Sequence, residues 1–160
     1  MSIVVEEAPT GSRNTALWHR WIDLWNGDFA VAETIVAPKI VCHLPTFGRT
    51  AGPEGVDSPA ALVRWIEQWH SNFSELTTTT SLGPFVNDED IVGRRRFTGL
   101  WKGGEPGGAT APAGTDVDFT GIDILRLDED GLIAEYWVGD NLIDMYCGLG
   151  AISEPVRARA

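Results

Sequence analysis

Asp123 is the residue of this chain whose surroundings most strongly favour acid–base chemistry. It lies in the run FTGIDILRL at residues 119–127, where alternate side chains fall on opposite faces of a strand and the face of Asp123 is otherwise apolar or glycine. A carboxylate in apolar surroundings is costly unless it is paired or its pKa is raised, and both conditions are frequent at catalytic sites. The pattern therefore predicts a buried carboxyl group that can exchange a proton.

Arg95 is the predicted partner of Asp123. Three arginines follow one another at 94–96, and on a strand the middle one must point away from the other two. Arg95 shares its face with Phe97 and Trp101, which is the more apolar side, and a buried guanidinium needs an anionic partner. The alternative is that all three arginines are solvated and balance an acidic surface.

Two further side chains are candidates for proton transfer or for stabilising an oxyanion. His43 stands at the end of a predicted strand, and histidine can exchange a proton near neutral pH. The alternative is a strand-end histidine that is half in water. Tyr136 lies on the second strand of the hairpin that carries Asp123, and its phenol could donate to an enolate or carbonyl oxygen unless it serves only packing.

Aromatic side chains are candidates for lining a binding site. The chain has seven tryptophans in 160 residues, and most of them recur at helical spacing on two predicted helices. Large flat side chains suit a polycyclic ligand as well as they suit a core, so both interpretations stay open. The candidates for contact with a substrate are Trp21, Trp25, Trp65, Trp69 and Phe97, together with Val138 and Asp140 of the second hairpin strand.

A β-hairpin at residues 119–140 must position Asp123 and Tyr136. The acidic run at 128–130 and Gly131 supply the turn between two alternating strands. Because both faces of this hairpin are largely apolar, we expect both to be covered. We also expect its concave face to meet the helices at 14–26 and 58–73.

The other elements follow from spacing and from helix start and stop signals. We predict helices from Asn14 to Asn26, from Asp28 to about Pro38, from Ser58 through Phe73, and a last helical turn at 141–149. We predict strands at Lys39–His43, Thr77–Leu82 and Ile91–Trp101. The low-complexity stretch at 102–116 is predicted to be a long mobile hairpin loop.

Composition bounds the class of protein and its partners. With 43% hydrophobic and 22% charged residues in 160, the chain has the balance of one soluble domain, predicted at 14–150 between an N-terminal arm at 1–13 and a C-terminal tail at 151–160. A net charge of −11 argues against nucleic acid and against an anionic membrane surface. The sequence contains neither a long apolar run nor a signal peptide pattern, so we expect a cytoplasmic protein.

Motifs for cofactors and metals are missing from the sequence. Cys42 and Cys147 are too few for a disulfide framework and lack metal-ligand spacing, so we expect reduced packing residues. There is no glycine-rich dinucleotide motif after a strand and no P-loop. We therefore expect no cofactor and no metal.

The runs TGIDILRL, IAEYWV and MYCGLG resemble the SnoaL-like polyketide cyclase family of the nuclear transport factor 2-like superfold, and the resemblance can be followed over residues 14–150. It implies an α+β cone, in which three helices lie in the concavity of a curved, mostly antiparallel sheet and enclose one deep apolar pocket. It also implies a small hydrophobic substrate and a homodimer formed through the outer face of the sheet.

The resemblance also gives expectations for particular residues. Trp25 and Trp65 stand where anthracycline-type cyclases place polar groups against the substrate, which implies a more apolar pocket. Val138 stands where the cyclases carry their catalytic aspartate. Asp140, two residues further on, keeps the same strand face, but we expect it nearer the rim and freely ionised. Activity should then depend more on Asp123 than on Asp140.

Three functions remain open at this stage. The first is a cofactor-independent cyclase of lyase or isomerase type, which closes a ring of a bulky polyketide or related natural-product intermediate by aldol chemistry or by a shape-driven cycloaddition. The second is an epoxide hydrolase, which the same fold builds on an Asp-Arg-Asp set whose third member would be expected at Val138. The third is a non-catalytic protein that binds a hydrophobic metabolite.

Overall fold

Helix α1 carries the tryptophan stripe and spans Thr10–Trp25 in the computed structural model, which describes residues 10–44, 55–104 and 108–152. Trp18, Trp21 and Trp25 recur on one side of the helix and are fully or almost fully buried. The helix begins before the predicted Asn14, so residues 10–13 are helical and not part of an arm. The rest of the predicted arm, and residues 153–160 of the predicted tail, lie outside the described residues.

The segment after α1 turns into a strand earlier than predicted. A 3-10 helix at Phe29–Val31 and the short helix α2 at Ala32–Ile35 are followed by strand β1, Val36–His43. The expected helix to Pro38 is therefore wrong. Val36 is already extended, with φ −105° and ψ 134°, and the β-branched pair before Ala37-Pro38 disfavours a further helical turn.

Helix α3 spans Pro59–His70 and begins as predicted. The Ser58 hydroxyl accepts from the Ala61 amide at 3.4 Å, and proline occupies the first turn, where no intrahelical N–H is needed. Leu62 and Ile66 are fully buried on its inner side. Phe73, predicted at the end of this helix, is instead the first residue of the next strand.

A five-stranded mixed sheet completes the fold. Strands β2 (Phe73–Val86), β3 (Asp90–Trp101), β4 (Asp116–Leu127) and β5 (Ile133–Asp140) are followed by helix α4 (Leu142–Gly148). The strand order is β1-β5-β4-β3-β2, with β1 parallel to β5 and all other neighbours antiparallel. The predicted α+β class with a curved, mostly antiparallel sheet is confirmed, as is the antiparallel hairpin at 119–140.

Helices α1 and α3 pack against the same face of the sheet, as predicted. Trp21 of α1 donates a hydrogen bond to Asp123 of β4. Trp69 of α3 packs on Phe119 of the same strand, with ring centroids 6.1 Å apart. In contrast, Ile122 and Ile124 on the opposite face are 48% and 36% exposed. The expectation that both faces of the hairpin are covered is therefore wrong for the single chain.

Several described residues of the stretch at 102–116 make backbone hydrogen bonds to the rest of the fold. The amides of Thr110 and Ala111 both donate to the carbonyl of Leu149, and the Gly114 amide donates to the carbonyl of Trp101. Thr110, Ala111 and Gly114 are therefore tied to the residue after α4 and to the end of β3. The predicted mobility of the loop stays a prediction. Residues 105–107 lie outside the described residues. None of the described helices is long and apolar enough to cross a membrane.

Gly93 of β3 is needed where α1 meets the sheet. A Cβ at this position would overlap the six-membered ring of Trp18. The ring cannot easily move, because it is fully buried and its N–H donates to the hydroxyl of Thr80 at 2.9 Å. The missing side chain thus lets α1 approach the sheet closely enough for Trp21 to reach Asp123.

Gly93→Ala should lower the free energy of unfolding by about 1–3 kcal/mol, the usual cost of forcing extra volume into a packed core. Gly139→Ala is the matched control, since a Cβ there meets nothing closer than the Ile122 carbonyl at 3.9 Å, and its effect should stay within about 0.5 kcal/mol. Denaturant unfolding of both variants measures the difference. Equal stabilities of the two variants would contradict this account of the helix–sheet contact.

Candidate active site

Arg95 and Asp123 form a fully buried ion pair at the centre of the sheet's inner face. Arg95 Nε lies 2.7 Å from Asp123 Oδ2, and both side chains are 0% exposed. The N–H does not point along this line well enough for a good hydrogen bond, so the contact is chiefly one of charge. The predicted inward orientation of Arg95 and its contact with Asp123 are therefore observed, whereas Arg94 and Arg96 are exposed.

Asp140 joins this pair across a neighbouring strand. In the sheet register Arg95 lies opposite Gly121, and Gly121 lies opposite Asp140. A Cβ on Gly121 would overlap Asp140 Oδ1, so the glycine leaves the space through which the carboxylate reaches Arg95. Asp140 Oδ1 lies 3.2 Å from Arg95 Nη2, and only 8% of the Asp140 side chain is exposed. The expectation of a freely ionised group at the rim is wrong.

Tyr136 and Trp21 complete the polar cluster by donating to Asp123. The Tyr136 hydroxyl donates to Oδ1 at 3.0 Å, and the Trp21 indole N–H donates to Oδ2 at 2.7 Å. Arg95 Nη2 also lies 3.4 Å from the Tyr136 oxygen. Both oxygens of Asp123 are therefore occupied by partners within the protein.

Burial dominates the ionisation of the cluster. It raises the pKa of Asp123 from 3.8 to about 6, although Arg95 and the bonds from Trp21 and Tyr136 favour the charged form. It also raises the pKa of Asp140 against the opposing effect of Arg95. The Tyr136 pKa is raised well above 10, chiefly by burial and then by Asp123, so the phenol stays protonated.

Arg95 itself stays charged. Burial works against its charge, but the carboxylate of Asp123, followed by Tyr136 and Asp140, outweighs that effect and raises the guanidinium pKa. The Arg95 cation thus faces the carboxyl groups of Asp123 and Asp140 in an interior where water solvates none of these charges.

Aromatic rings pack against the cluster and against one another. The Arg95 Cζ atom lies 4.1 Å from the centroid of Trp25 and 4.6 Å from that of Phe97. Further ring contacts connect Trp21 to Tyr136 at 4.8 Å, Trp25 to Trp65 at 5.6 Å, and Phe97 to Phe119 at 4.7 Å. All the predicted tryptophan candidates and Phe97 therefore belong to the same contiguous group as Asp123 and Tyr136.

The clefts found among the described residues lie away from this cluster. One, of about 370 Å³, lies between α1 and the β4–β5 turn and is lined by residues that include Arg13, Arg20 and Leu132. Another, of about 320 Å³, lies where α2 and β1 meet the start of α3. The predicted deep pocket around Asp123 stays a prediction, since residues 45–54 and 105–107 are outside the described ranges.

His43 is separate from the cluster. Its ring is exposed on the outer face, where Nε2 lies 2.8 Å from Glu135 Oε1 and the ring stacks on Trp137 at 4.8 Å. Strand β1 pairs with β5 so that His43 lies opposite Trp137, and this pairing directs the histidine away from Asp123. Its predicted role as a catalytic base or hydrogen-bond donor beside Asp123 is therefore not supported by the geometry.

Val138 and Asp140, both predicted to contact a substrate, take different positions in the cluster. Val138 lies directly opposite Asp123 in the sheet and packs partly buried against the core. Asp140 and Trp21 were predicted only as contacts for a substrate, whereas the ion pair of Asp140 with Arg95 and the hydrogen bond from Trp21 to Asp123 were not predicted. Gly121 was the signal that could have been used, because a glycine in the middle of an apolar strand often marks a close approach.

Within the described ranges, no three His, Cys, Asp or Glu side chains are placed to hold a metal ion.

The raised pKa of Asp123 predicts a pH-dependent stability. A carboxyl group with a raised pKa contributes stability that is complete below its unfolded value of 3.8 and is lost as the pH rises through about 6. Between about pH 4 and pH 7 the wild type should therefore lose about 3 kcal/mol of unfolding free energy relative to Asp123→Asn. Chemical denaturation at a series of pH values measures this difference.

Asp118→Asn is the control for this pH dependence. The exposed Asp118 accepts a hydrogen bond from Arg96, which lowers its pKa, so relative to this variant the wild type should gain stability as the pH rises. Stability curves of the wild type and Asp123→Asn that run parallel over this range would contradict the buried titration.

Comparison with known proteins finds a matching family and several solved structures with the same fold. The model of the SnoaL-like domain family matches residues 18–136. TsrD from Streptomyces laurentii is 21% identical, with 92% of this chain and 99% of that chain covered and a TM-score of 0.71. IdmH from Streptomyces antibioticus, a candidate polyketide cyclase, is also 21% identical, with 85% and 97% covered and a TM-score of 0.70.

A third similar structure comes from a different genus. A candidate SnoaL-like polyketide cyclase from Jannaschia sp. CCS1 is 18% identical, with 92% and 98% of the two chains covered and a TM-score of 0.69. At these identities the structures show the shared fold alone. No curated protein is similar enough in sequence to match the chain. The match of the family model over most of its length shows that this chain belongs to the SnoaL-like domain family.

Proposed function

We propose that this protein is a cofactor-independent cyclase that closes a ring of a bulky apolar polyketide-type intermediate by intramolecular aldol chemistry. The observation that supports it most is a nearly buried carboxylate, Asp140, with a raised pKa and a free oxygen beside the buried guanidinium of Arg95. Membership of the SnoaL-like family agrees with this activity but does not fix the reaction.

Asp140 is better placed than Asp123 to take a proton from a substrate. Asp123 Oδ2 accepts from Trp21 and faces Arg95, and Oδ1 accepts from Tyr136. The Asp123 side chain is also 0% exposed. Asp140 receives one hydrogen bond, from Arg95, and its other oxygen accepts none from the described residues. A carboxylate of raised pKa is also a stronger base than an ordinary one.

Asp123 and Tyr136 hold Arg95 in position in this proposal. Arg95 would stabilise the negative charge that develops on the substrate oxygen when Asp140 removes a proton from the neighbouring carbon. Trp21 fixes Asp123 from the helix side at 2.7 Å. The role first given to Asp123 thus passes to Asp140, and Asp123 becomes a positioning residue.

Asp140→Asn should lower turnover by about 100-fold or more, the usual effect of losing one general base, without a matching loss of stability. Asp123→Asn should lower both turnover and stability, because it also releases Arg95. The assay follows ring closure of an oxobutyl-substituted tetralone, a diketone, by liquid chromatography with mass detection, because the aldol product is an isomer of the same mass. Melting curves are recorded for each variant. Asp118→Asn, on the outer face, should retain full turnover.

Three results would change this assignment. Normal turnover in Asp140→Asn with loss confined to Asp123→Asn would return the general base to Asp123. Normal turnover in both variants would favour a shape-driven closure that needs no proton transfer. Binding of the diketone to the wild type without conversion would favour a non-catalytic hydrophobic-metabolite-binding protein.

Epoxide hydrolysis is the second candidate, and one observation favours it. Asp140 supplies the third member of the Asp-Arg-Asp set that seemed to be missing at Val138, since Arg95 lies between Asp123 and Asp140. The same variants tested on cyclohexene oxide in heavy-oxygen water separate the two reactions. Label in a diol product would identify a hydrolase, whereas an unchanged epoxide alongside a cyclised diketone supports the cyclase.

The outer face of the sheet supports a homodimer. Val41 of β1 and Ile122 and Ile124 of β4 are 57%, 48% and 36% exposed on the two strands that flank β5. An apolar surface of this kind is stabilised when a second copy covers it. Ile122→Lys should shift the protein to monomer in sedimentation equilibrium, because it would place a charge in the apolar contact. Thr120→Lys, towards the end of the same strand face, is the milder comparison. A wild type that is monomeric at high concentration would contradict the dimer.

A further inference from the structure

The cleft of about 370 Å³ between α1 and the β4–β5 turn carries two arginines. Arg13 and Arg20 of α1 both line it, and its apolar surface includes Leu17, Ile35 and Leu132. None of the described residues that line the cleft is acidic. The cleft is therefore a place of local positive charge on a chain whose net charge is −11.

Each of the two arginines donates to a neutral acceptor. Arg13 Nη2 donates to the backbone carbonyl of Asp130 at 2.8 Å, and Arg20 Nη2 donates to the hydroxyl of Thr34. Gly131 leaves the space that Arg13 occupies, since a Cβ at this glycine would overlap Arg13 Nη2. These bonds fix the direction of both guanidinium groups and leave their charges in place.

Neither arginine is neutralised by the protein's own acids. Among the described residues, no carboxylate oxygen lies within 4.0 Å of Arg13 or Arg20, whereas the exposed Arg96 and Arg126 each have a carboxylate partner. The carboxylate of Asp128, in the adjacent turn, accepts from two backbone amides of that turn. The charges of both cleft arginines are thus available to a ligand.

Apolar surface separates the two charges. Arg13 and Arg20 are seven residues apart on α1, which is about 10 Å along the helix axis. Their bonds direct them to different elements, Arg13 to the β4–β5 turn and Arg20 to α2. Ala16 and Leu17 occupy the helical turn between them and line the same cleft. The cleft thus presents a cation on either side of an apolar surface.

We propose that this cleft binds a linear dicarboxylate with an apolar chain, one carboxylate at Arg13 and the other at Arg20. The planar guanidinium matches a carboxylate in geometry, and the apolar chain would cover Leu17 and its neighbours. A small ligand is favoured over an acidic protein surface, because the net charge of −11 would repel the rest of such a partner. The cleft lies apart from Arg95, so this inference does not depend on the proposed reaction.

Titration calorimetry of the wild type with azelate and its methyl esters tests the proposal. Azelate is long enough to reach both arginines, and each ester keeps the chain while removing one charge. Azelate should bind about 3-fold more tightly than monomethyl azelate, the effect of one exposed ion pair, and dimethyl azelate and the shorter succinate should bind more weakly than azelate. Equal or reversed affinities, or no binding of azelate, would overturn the proposal.

Arg13→Gln and Arg20→Gln should each remove the preference for azelate over its monomethyl ester, because each leaves one cation for two carboxylates. Arg94→Gln is the matched control and should keep the preference, since the exposed Arg94 also donates to a threonine hydroxyl, that of Thr120 at 3.0 Å, but does not line the cleft. Survival of the preference in either cleft variant, or its loss in Arg94→Gln, would overturn the assignment.

A salt series on the wild type decides the matter if a cleft variant does not fold. The preference for azelate should shrink as the salt concentration rises, because exposed charges are screened. A preference that salt leaves unchanged would show that the arginines do not bind the carboxylates and would overturn the proposal.

Discussion

A single buried guanidinium constrains the inner face of this sheet. Arg95 is completely removed from water, and its charge is tolerated because Asp123 lies 2.7 Å away and Asp140 approaches through Nη2. Two missing side chains shape the cluster: Gly93 lets α1 bring Trp21 to Asp123, and Gly121 lets Asp140 cross to Arg95. The geometry of two glycines thus determines where the charges can meet.

Such a cluster is hard to explain by stability alone. A buried ion pair often contributes no more than well-packed apolar residues of the same volume would. Here a second carboxylate is added to the pair, and burial raises the pKa of both acids, Asp123 to about 6. Groups whose protons are held near neutral pH suit proton transfer better than structural support. This is the physical reason for assigning chemistry to the centre of the sheet.

The local patterns predicted much of this arrangement. Period-two alternation placed Asp123, Arg95 and Tyr136 on the inner face, because a strand fixes which side chains share a face. The same rule placed Asp140 on that face but could not predict its burial, and it could not place His43. His43 faces outward because β1 pairs with β5 in parallel, and Asp140 is buried because a glycine stands opposite it on β4. Both depend on which strands pair and in which register, and a single strand's sequence does not contain that information.

The ionisation of the carboxyl groups beside Arg95 tests the central claim most directly. Carbon-13 NMR of the aspartate carboxyl carbons, in the wild type and in Arg95→Met, would follow Asp123 and Asp140 separately as the pH is changed. We expect the Asp123 carbon to titrate at about 6 in the wild type and at a higher pH in Arg95→Met, because loss of the cation leaves only burial and the second carboxylate acting on it. An Asp123 carbon that titrates at or below 3.8, or one that is unaffected by loss of Arg95, would contradict the account.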